Sequence, residues 1–362
     1  MIIRGDRQQE AVQAYLNSDR RTILYCCPRF GKIKVALDIM KADGINHVWI
    51  LAPRNDIFEG WNKDMDKFGF RPERIHMTTF TSIKKLDSRY ERPQLVIIDE
   101  PHEMSVNQQM QLANIIPISK DQPVLGLTGT MTNKTRRELY DSLNLDVCYT
   151  YSIAQGVEEG ILTDYEIVIH EVALDDKRYD HATKAKKYTE QGYFNLYEYL
   201  RKEAQGHNKR IMELKMINII QNSIAKMEAT RRLISTYKYE RILVFCGVTA
   251  VADQLGIPVY HSKAKEKAVF DSFCAGEGDY LATIKMMQAG ITVAPIHRGI
   301  MNYLSGSSED GAQKICRFLG FEYGNPNKKA YLDIVSSKEP FERERLVTAL
   351  QFFDENKITR IS

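Results

Sequence analysis

An uninterrupted apolar run, Leu95-Val96-Ile97-Ile98, stops at two adjacent carboxylates, Asp99 and Glu100, which Pro101 and His102 follow. Such a run without polar alternation reads as a strand covered on both faces, the environment of a parallel sheet. In open α/β sheets ligands bind beyond the C-terminal ends of the strands. The acid pair therefore stands where a metal–nucleotide site belongs. One carboxylate there can hold Mg²⁺ through water while the other orients an attacking water. Acids also favour helix N-termini, so the pair could simply cap a following helix. A phosphate loop upstream would decide for the first reading.

Cys26-Cys27-Pro28-Arg29-Phe30-Gly31-Lys32-Ile33 supplies a candidate, 67 residues upstream when counted from Lys32 to Asp99. It lies between an apolar strand, residues 22–26, and a helical pattern over 34–40. In a P-loop, backbone N–H groups and a helix N-terminus face the phosphates and a lysine neutralises their charge. Gly31 and Lys32 fit this frame. Cys26 replaces the first glycine of the pattern with another small residue. Ile33 departs further, because a Ser or Thr hydroxyl normally binds Mg²⁺ at that position.

The rest of the first half alternates strands and helices as βα units do. Strands are expected at 47–51, 75–79 and 124–127, and a helix at 56–68. Around 151–165 the pattern breaks, with Gly156 and Gly160 marking a linker. A strand follows at 165–172. Residues 177–238 then hold 14 Lys/Arg against 6 Asp/Glu, inside a chain whose remainder is acidic. This block reads as two long helices separated near Gly206, and its charge suggests either a polyanion partner or a solvated helical surface. Tyr188, Tyr193, Phe194, Tyr197 and Tyr199 interleave with it. They could stack bases, but their uneven spacing favours packing between helices. A second run of βα units has strands at 241–245, 258–260, 280–283 and 330–334.

A length of 362 residues with 43% hydrophobic and 27% charged content suits two soluble domains. No apolar stretch is long enough to cross a membrane, and the first residues lack the apolar core of a signal peptide. The six cysteines have no zinc-ligand spacing and read as reduced core thiols, which points to the cytoplasm.

With both halves of a nucleotide site in sequence order, the chain resembles the superfamily 2 DEAD/DEAH-related helicases and translocases, in particular compact phage branch-migration helicases and restriction-type translocase subunits. Arg7-Gln8-Gln9-Glu10 resembles the glutamine motif, in which Gln8 would read adenine and Gln9 is the competing frame. Ala52-Pro53-Arg54 with Trp61 resembles motif Ia, and Thr78-Thr79-Phe80-Thr81-Ser82 motif Ib. Trp61 itself reads as core rather than as a stacking platform. Thr128-Gly129-Thr130 resembles motif III. Val244-Phe245-Cys246 and Tyr260-His261-Ser262 resemble motif IV and the segment after it, and Ala289-Gly290-Ile291-Thr292 resembles motif V. Gln313-Lys314-Ile315-Cys316-Arg317-Phe318-Leu319-Gly320 resembles motif VI, with Gly320 where a second arginine is usual.

The resemblance implies an α/β chain of two RecA-like domains with parallel sheets and a helical basic insertion. The expected boundaries are 1–155 for the first domain, 156–165 for a linker and 166–362 for the second, with the insertion at about 176–238. It implies ATP and Mg²⁺ as cofactors, in a cleft between the domains. Gln8, Arg29, Gly31, Lys32 and Gly290 would bind nucleotide and Asp99 would hold the metal. Glu100 would activate water, with Gln313 and Arg317 assisting. Pro53, Arg54, Thr79, Ser82, His261 and Thr292 would contact nucleic acid. The expected activity is ATP-dependent movement on single-stranded or branched DNA, in preference to RNA, by a monomer or by the motor of a larger complex. Ile33, Thr292 and Gly320 motivate the alternative of a binding protein on a weakened helicase scaffold. His102 is either a packed loop residue or a coupling residue.

Overall fold

The computed structural model describes residues 4–86, 91–116, 122–177, 188–261, 267–284, 296–303, 308–316, 319 and 328–362; for 308–310 and 313 only the backbone is described. The chain divides at Leu162–Thr163 into two compact units. This division falls within the segment expected to be a linker. There the chain instead forms a short helix and a turn with Gly160 at φ 72°, and then enters a strand.

In the first unit, helix α1 (Arg4–Leu16) precedes β1 (Arg21–Cys26), α2 (Lys32–Ala42), β2 (His47–Ala52), α3 (Asp56–Phe68) and β3 (Arg74–Thr79). Then come β4 (Leu95–Asp99), α4 (Val106–Ile115), β5 (Val124–Thr128), α5 (Asn133–Leu143), β6 (Asp146–Tyr151) and α6 (Ile153–Glu158). The strands form one sheet in the order β3-β2-β4-β5-β1-β6, every described pair parallel. All five residues of β4 are buried, as an apolar run covered by helices on both faces should be. The order places the ends of β1, β5 and β4 side by side. The candidate phosphate loop, Thr128-Gly129-Thr130 and the acid pair therefore share one edge of the sheet.

The second unit begins with β7 (Asp164–Val172), α7 (Glu190–Glu203), α8 (Gly206–Gln221) and α9 (Ile224–Thr236). It continues through β8 (Ile242–Phe245), α10 (Thr249–Asp253), β9 (Val259–Tyr260), α11 (Lys267–Ala275), β10 (Tyr280–Thr283) and β11 (Arg298–Met301). Last come α12 (Ser308–Cys316), β12 (Lys329–Ser337), α13 (Pro340–Leu350) and β13 (Ile358–Ile361). Its sheet is again parallel, in the order β13-β7-β12-β11-β8-β10-β9.

The described residues of the basic block form three helices where the sequence suggested two. The third, α9, is part of the unit's core: Met227, Ala229, Leu233 and Ile234 pack with Ile242, Val244 and Ile300 of the sheet. Its Lys226 is fully buried, and its ammonium pairs with Glu342 of α13 at 2.5 Å. Glu342 also accepts the Ser337 backbone N–H at 2.7 Å, which ties two helices to the end of β12. A buried ion pair adds little net stability over an apolar substitute, but removing one partner strands the other charge. Replacing Lys226 by Met should destabilise the second unit by about 3–5 kcal/mol. Urea unfolding followed by circular dichroism measures this, and adding Glu342→Leu should restore part of the loss.

Candidate nucleotide site

The loop after β1 turns through two left-handed residues, Arg29 at φ 65° and Gly31 at φ 93°. Gly31 is required twice over. An L side chain is strained at that φ, and a Cβ there would fall 2.4 Å from Gln8 Nε2. Gln8 reaches across from α1 and its Nε2 donates to the Phe30 carbonyl at 2.7 Å, bracing the loop. Gln9, the competing frame, is exposed, and Gln8 is the glutamine that meets the loop. Phe30 is itself buried and rests on Tyr151, with ring centroids 5.0 Å apart. Beneath the loop, burial pushes the Cys26 thiol far up and the Cys27 thiol up to about 12, so both stay neutral.

Lys32 is the first residue of α2, and its ammonium lies 3.5 Å from Glu100 Oε1. Burial alone would favour the neutral amine; Glu100, followed by Asp99, outweighs that and raises the pKa, so the lysine is charged. Gly129 makes this approach possible. A Cβ on Gly129 would stand 3.0 Å from Lys32 Nζ and 3.2 Å from Pro28 Cδ.

Glu100 adopts a left-handed conformation, φ 55° and ψ 58°, immediately before Pro101. This backbone state is costly for a non-glycine residue and is held by its surroundings. Its Oε2 accepts the Gly129 N–H at 3.4 Å and lies 3.4 Å from His102 Nδ1. Although burial opposes ionisation, Lys32, then His102, and the Gly129 N–H hold the Glu100 carboxyl below its ordinary pKa. The Thr128 hydroxyl donates to the Thr130 carbonyl at 2.8 Å, so it accepts from His102 Nδ1 at 2.8 Å. His102 thus joins the acid segment to the end of β5.

Asp99 is 7% exposed, and its pKa is raised by burial and then by the neighbouring Glu100 charge. Its Oδ2 accepts the Trp61 indole N–H at 2.9 Å. A buried and a half-buried carboxylate beside one ammonium are an under-neutralised set, which suits a hard cation bound through oxygen. Asp99 offers such an oxygen and Ile33 offers none. The Ile33 side chain instead runs toward α3, with its Cδ1 4.0 Å from where a Cβ on Gly60 would stand.

Of the predicted residues, Gln8, Gly31, Lys32, Asp99 and Glu100 converge here, while Arg29 is exposed at the loop's rim. Pro53 and Arg54 follow β2, and Thr79 and Ser82 lie at the end of β3, which pairs with β2 through Ala52 and Thr79. These four form a row on the same sheet edge. Arg54 is held by Asp56 at 3.3 Å and Glu103 at 3.8 Å. Thr79 Oγ1 lies 3.4 Å from Ser82 Oγ.

His261, in the second unit, is 6% exposed with its Nε2 2.8 Å from Asp253 Oδ1, a packing that occupies its side chain internally. Gly290, Thr292 and Arg317 lie outside the described residues. Gln313 lies on α12, where its side chain is not described.

Much of the described basic block is also engaged internally. Arg201 stacks over Phe341, Lys215 stacks over Tyr197, and Arg210 lies 3.4 Å from Glu213. Tyr193 and Tyr197 stack on each other along α7, while Tyr199 is exposed.

Trp61, Gly129 and Thr128 complete the site in ways the sequence reading missed. Trp61 reads as core, but a buried indole also needs an acceptor, and that need is the available clue.

No protein-family model matches the chain. Over 347 residues it is 25% identical to the DNA 3'-5' translocase XPB2 of Sulfurisphaera tokodaii, covering 87% of this chain and 78% of that protein. A fragment of an HsdR subunit of a type I restriction enzyme from Vibrio vulnificus YJ016 superposes with a TM-score of 0.61 at 18% identity, covering 98% of this chain and 68% of the other. S. cerevisiae Dbp5 bound to RNA and ADP BeF3 superposes with a TM-score of 0.58 at 12% identity, covering 98% and 89%. The fold is that of the superfamily 2 helicases, with two RecA-like α/β units. The expected kinship with phage proteins gains no support from these relatives.

The crowding at Gly129 yields a prediction. Gly129→Ala pushes Lys32 away from Glu100 and should weaken nucleotide binding about tenfold while leaving the melting temperature nearly unchanged. Titration with a fluorescent ADP analogue measures the first, and thermal melting the second.

Proposed function

We propose that this chain is an ATP-dependent nucleic-acid translocase or helicase acting on DNA. The observation that carries the reading is the Lys32–Glu100–Asp99 cluster at the C-terminal sheet edge, braced by Gln8 and Gly31. Lys32 neutralises phosphate charge at the N-terminus of α2. Asp99 would hold Mg²⁺, which would supply positive charge to the phosphates. Glu100, kept ionised by Lys32 and His102, orients the attacking water and accepts its proton. A phosphate entering the loop competes for Lys32 and frees Glu100 for that task. Arg317 and Gln313 are kept as candidates for stabilising transition-state charge on the resemblance of residues 313–320 to motif VI alone.

Pro53, Arg54, Thr79 and Ser82 are assigned to the nucleic-acid backbone, because they line one sheet edge at the ends of β2, which neighbours β4, and of β3 beyond it. Contacts of this kind read phosphates rather than bases, so binding should be sequence-tolerant and should weaken with salt. The preference for DNA draws on the similarity to a DNA translocase and to a restriction subunit. The second of these also favours service as the motor of a larger complex, which the native mass of the purified assembly would test.

Ile33 supports a rival reading, in which the scaffold binds nucleic acid without turnover. Two assays separate the readings. ATP hydrolysis should rise with single-stranded, duplex or branched DNA and fall about 10²-fold or more in Glu100→Gln; hydrolysis unaffected by that change sinks the proposal. Ile33→Thr should raise turnover at limiting Mg²⁺, measured as phosphate release across a magnesium titration.

A further inference from the structure

Assigning Asp99 to the metal leaves its second oxygen to be explained. Asp99 Oδ2 is the acceptor of the Trp61 indole N–H at 2.9 Å, between two buried side chains. We infer that Trp61 is a positioning residue for the metal ligand: it fixes the plane of the Asp99 carboxylate so that Oδ1 is presented to a divalent cation. The inference rests on the nucleotide-site reading and assigns Trp61 a role within it.

A carboxylate at the end of a strand has a broad terminal torsion, so its backbone alone does not aim it. Trp61 supplies the missing constraint, because its indole is packed into the core with its N–H on the carboxylate. It is 0% exposed and belongs to the stripe Ile57, Trp61 and Met65 with which α3 enters the core. Groups that hydrogen-bond a ligating carboxylate set its orientation and the affinity of the site.

The demand for such aiming is raised by Ile33. Where a hydroxyl would serve as a further oxygen ligand, α2 presents an aliphatic chain directed at Gly60, the residue next to Trp61. With fewer protein oxygens, the orientation of the one at Asp99 carries more of the selectivity. A packing role for Trp61 alone would explain its burial but not the choice of this carboxylate as acceptor.

The test separates orientation from packing by comparing binding with and without metal. A fluorescent ADP analogue is titrated onto wild-type protein and Trp61→Phe, in Mg²⁺ and in EDTA. The variant should need about tenfold or more Mg²⁺ for half-maximal binding, while its affinity in EDTA stays at the wild-type value. Equal magnesium dependence in the two proteins overturns the inference, and so does an equal loss with and without metal. Wild-type protein that binds no nucleotide under either condition overturns the nucleotide-site reading itself, before any variant is compared.

A second measurement needs no substitution in the core beside Asp99. Only two tryptophans, Trp49 and Trp61, give indole N–H signals, and Trp49→Phe assigns them. Adding Mg²⁺ to the ADP complex should shift the Trp61 signal and leave that of Trp49 in place. A Trp61 signal that does not respond to Mg²⁺ contradicts the inference.

Discussion

Charge balance within one small volume governs the first unit. Asp99 and Glu100 are adjacent in sequence and largely withdrawn from water, and Lys32 is the ammonium that stands against them. A charge left unpaired at that depth is costly. The surrounding architecture serves to bring these charges together from strands that are not neighbours. β5 separates β1 from β4, and Gly129 at its end has no side chain to keep Lys32 and Glu100 apart. The left-handed turn at Glu100 and the braced loop at Gly31 are the local costs of this convergence.

The arrangement also divides the labour between the two acids. Glu100 faces the Lys32 ammonium and the Gly129 amide, with His102 Nδ1 3.4 Å away. It stays charged and suits proton abstraction. Asp99 has one donor, Trp61, and carries the burden of burial and of its neighbour's charge. It is the group that gains most from a cation. Two residues of the same chemistry thus take different roles because their partners differ.

Where burial followed apolar pattern, the sequence was readable. The runs at 47–51, 95–98 and 124–127 became β2, β4 and β5 with only small changes at their ends. Where burial was achieved by pairing charges, the pattern gave no signal. β11 begins with Arg298, a residue that reads as surface. In the fold its guanidinium lies 2.6 Å from Asp333 Oδ2 and 2.9 Å from Glu240 Oε2, and it stacks on Tyr237. Lys226 is buried by pairing in the same way, inside the block whose charge suggested a polyanion partner or a solvated helical surface. β6 and β13 lie at sheet edges, so neither needed the apolar run that marks a central strand. In the site, Lys32, Asp99 and Glu100 could be read because phosphate and metal chemistry restricts residue type. Trp61 and Gly129 act by reach and by absence of bulk, which sequence spacing does not encode.

The central claim is that the Lys32, Asp99 and Glu100 cluster is a nucleotide site, and calorimetric titration of the full chain with a slowly hydrolysed ATP analogue in Mg²⁺ tests it most directly. The account predicts one bound nucleotide per chain, lost in Lys32→Ala with the fold retained. Undiminished binding in that variant would contradict it.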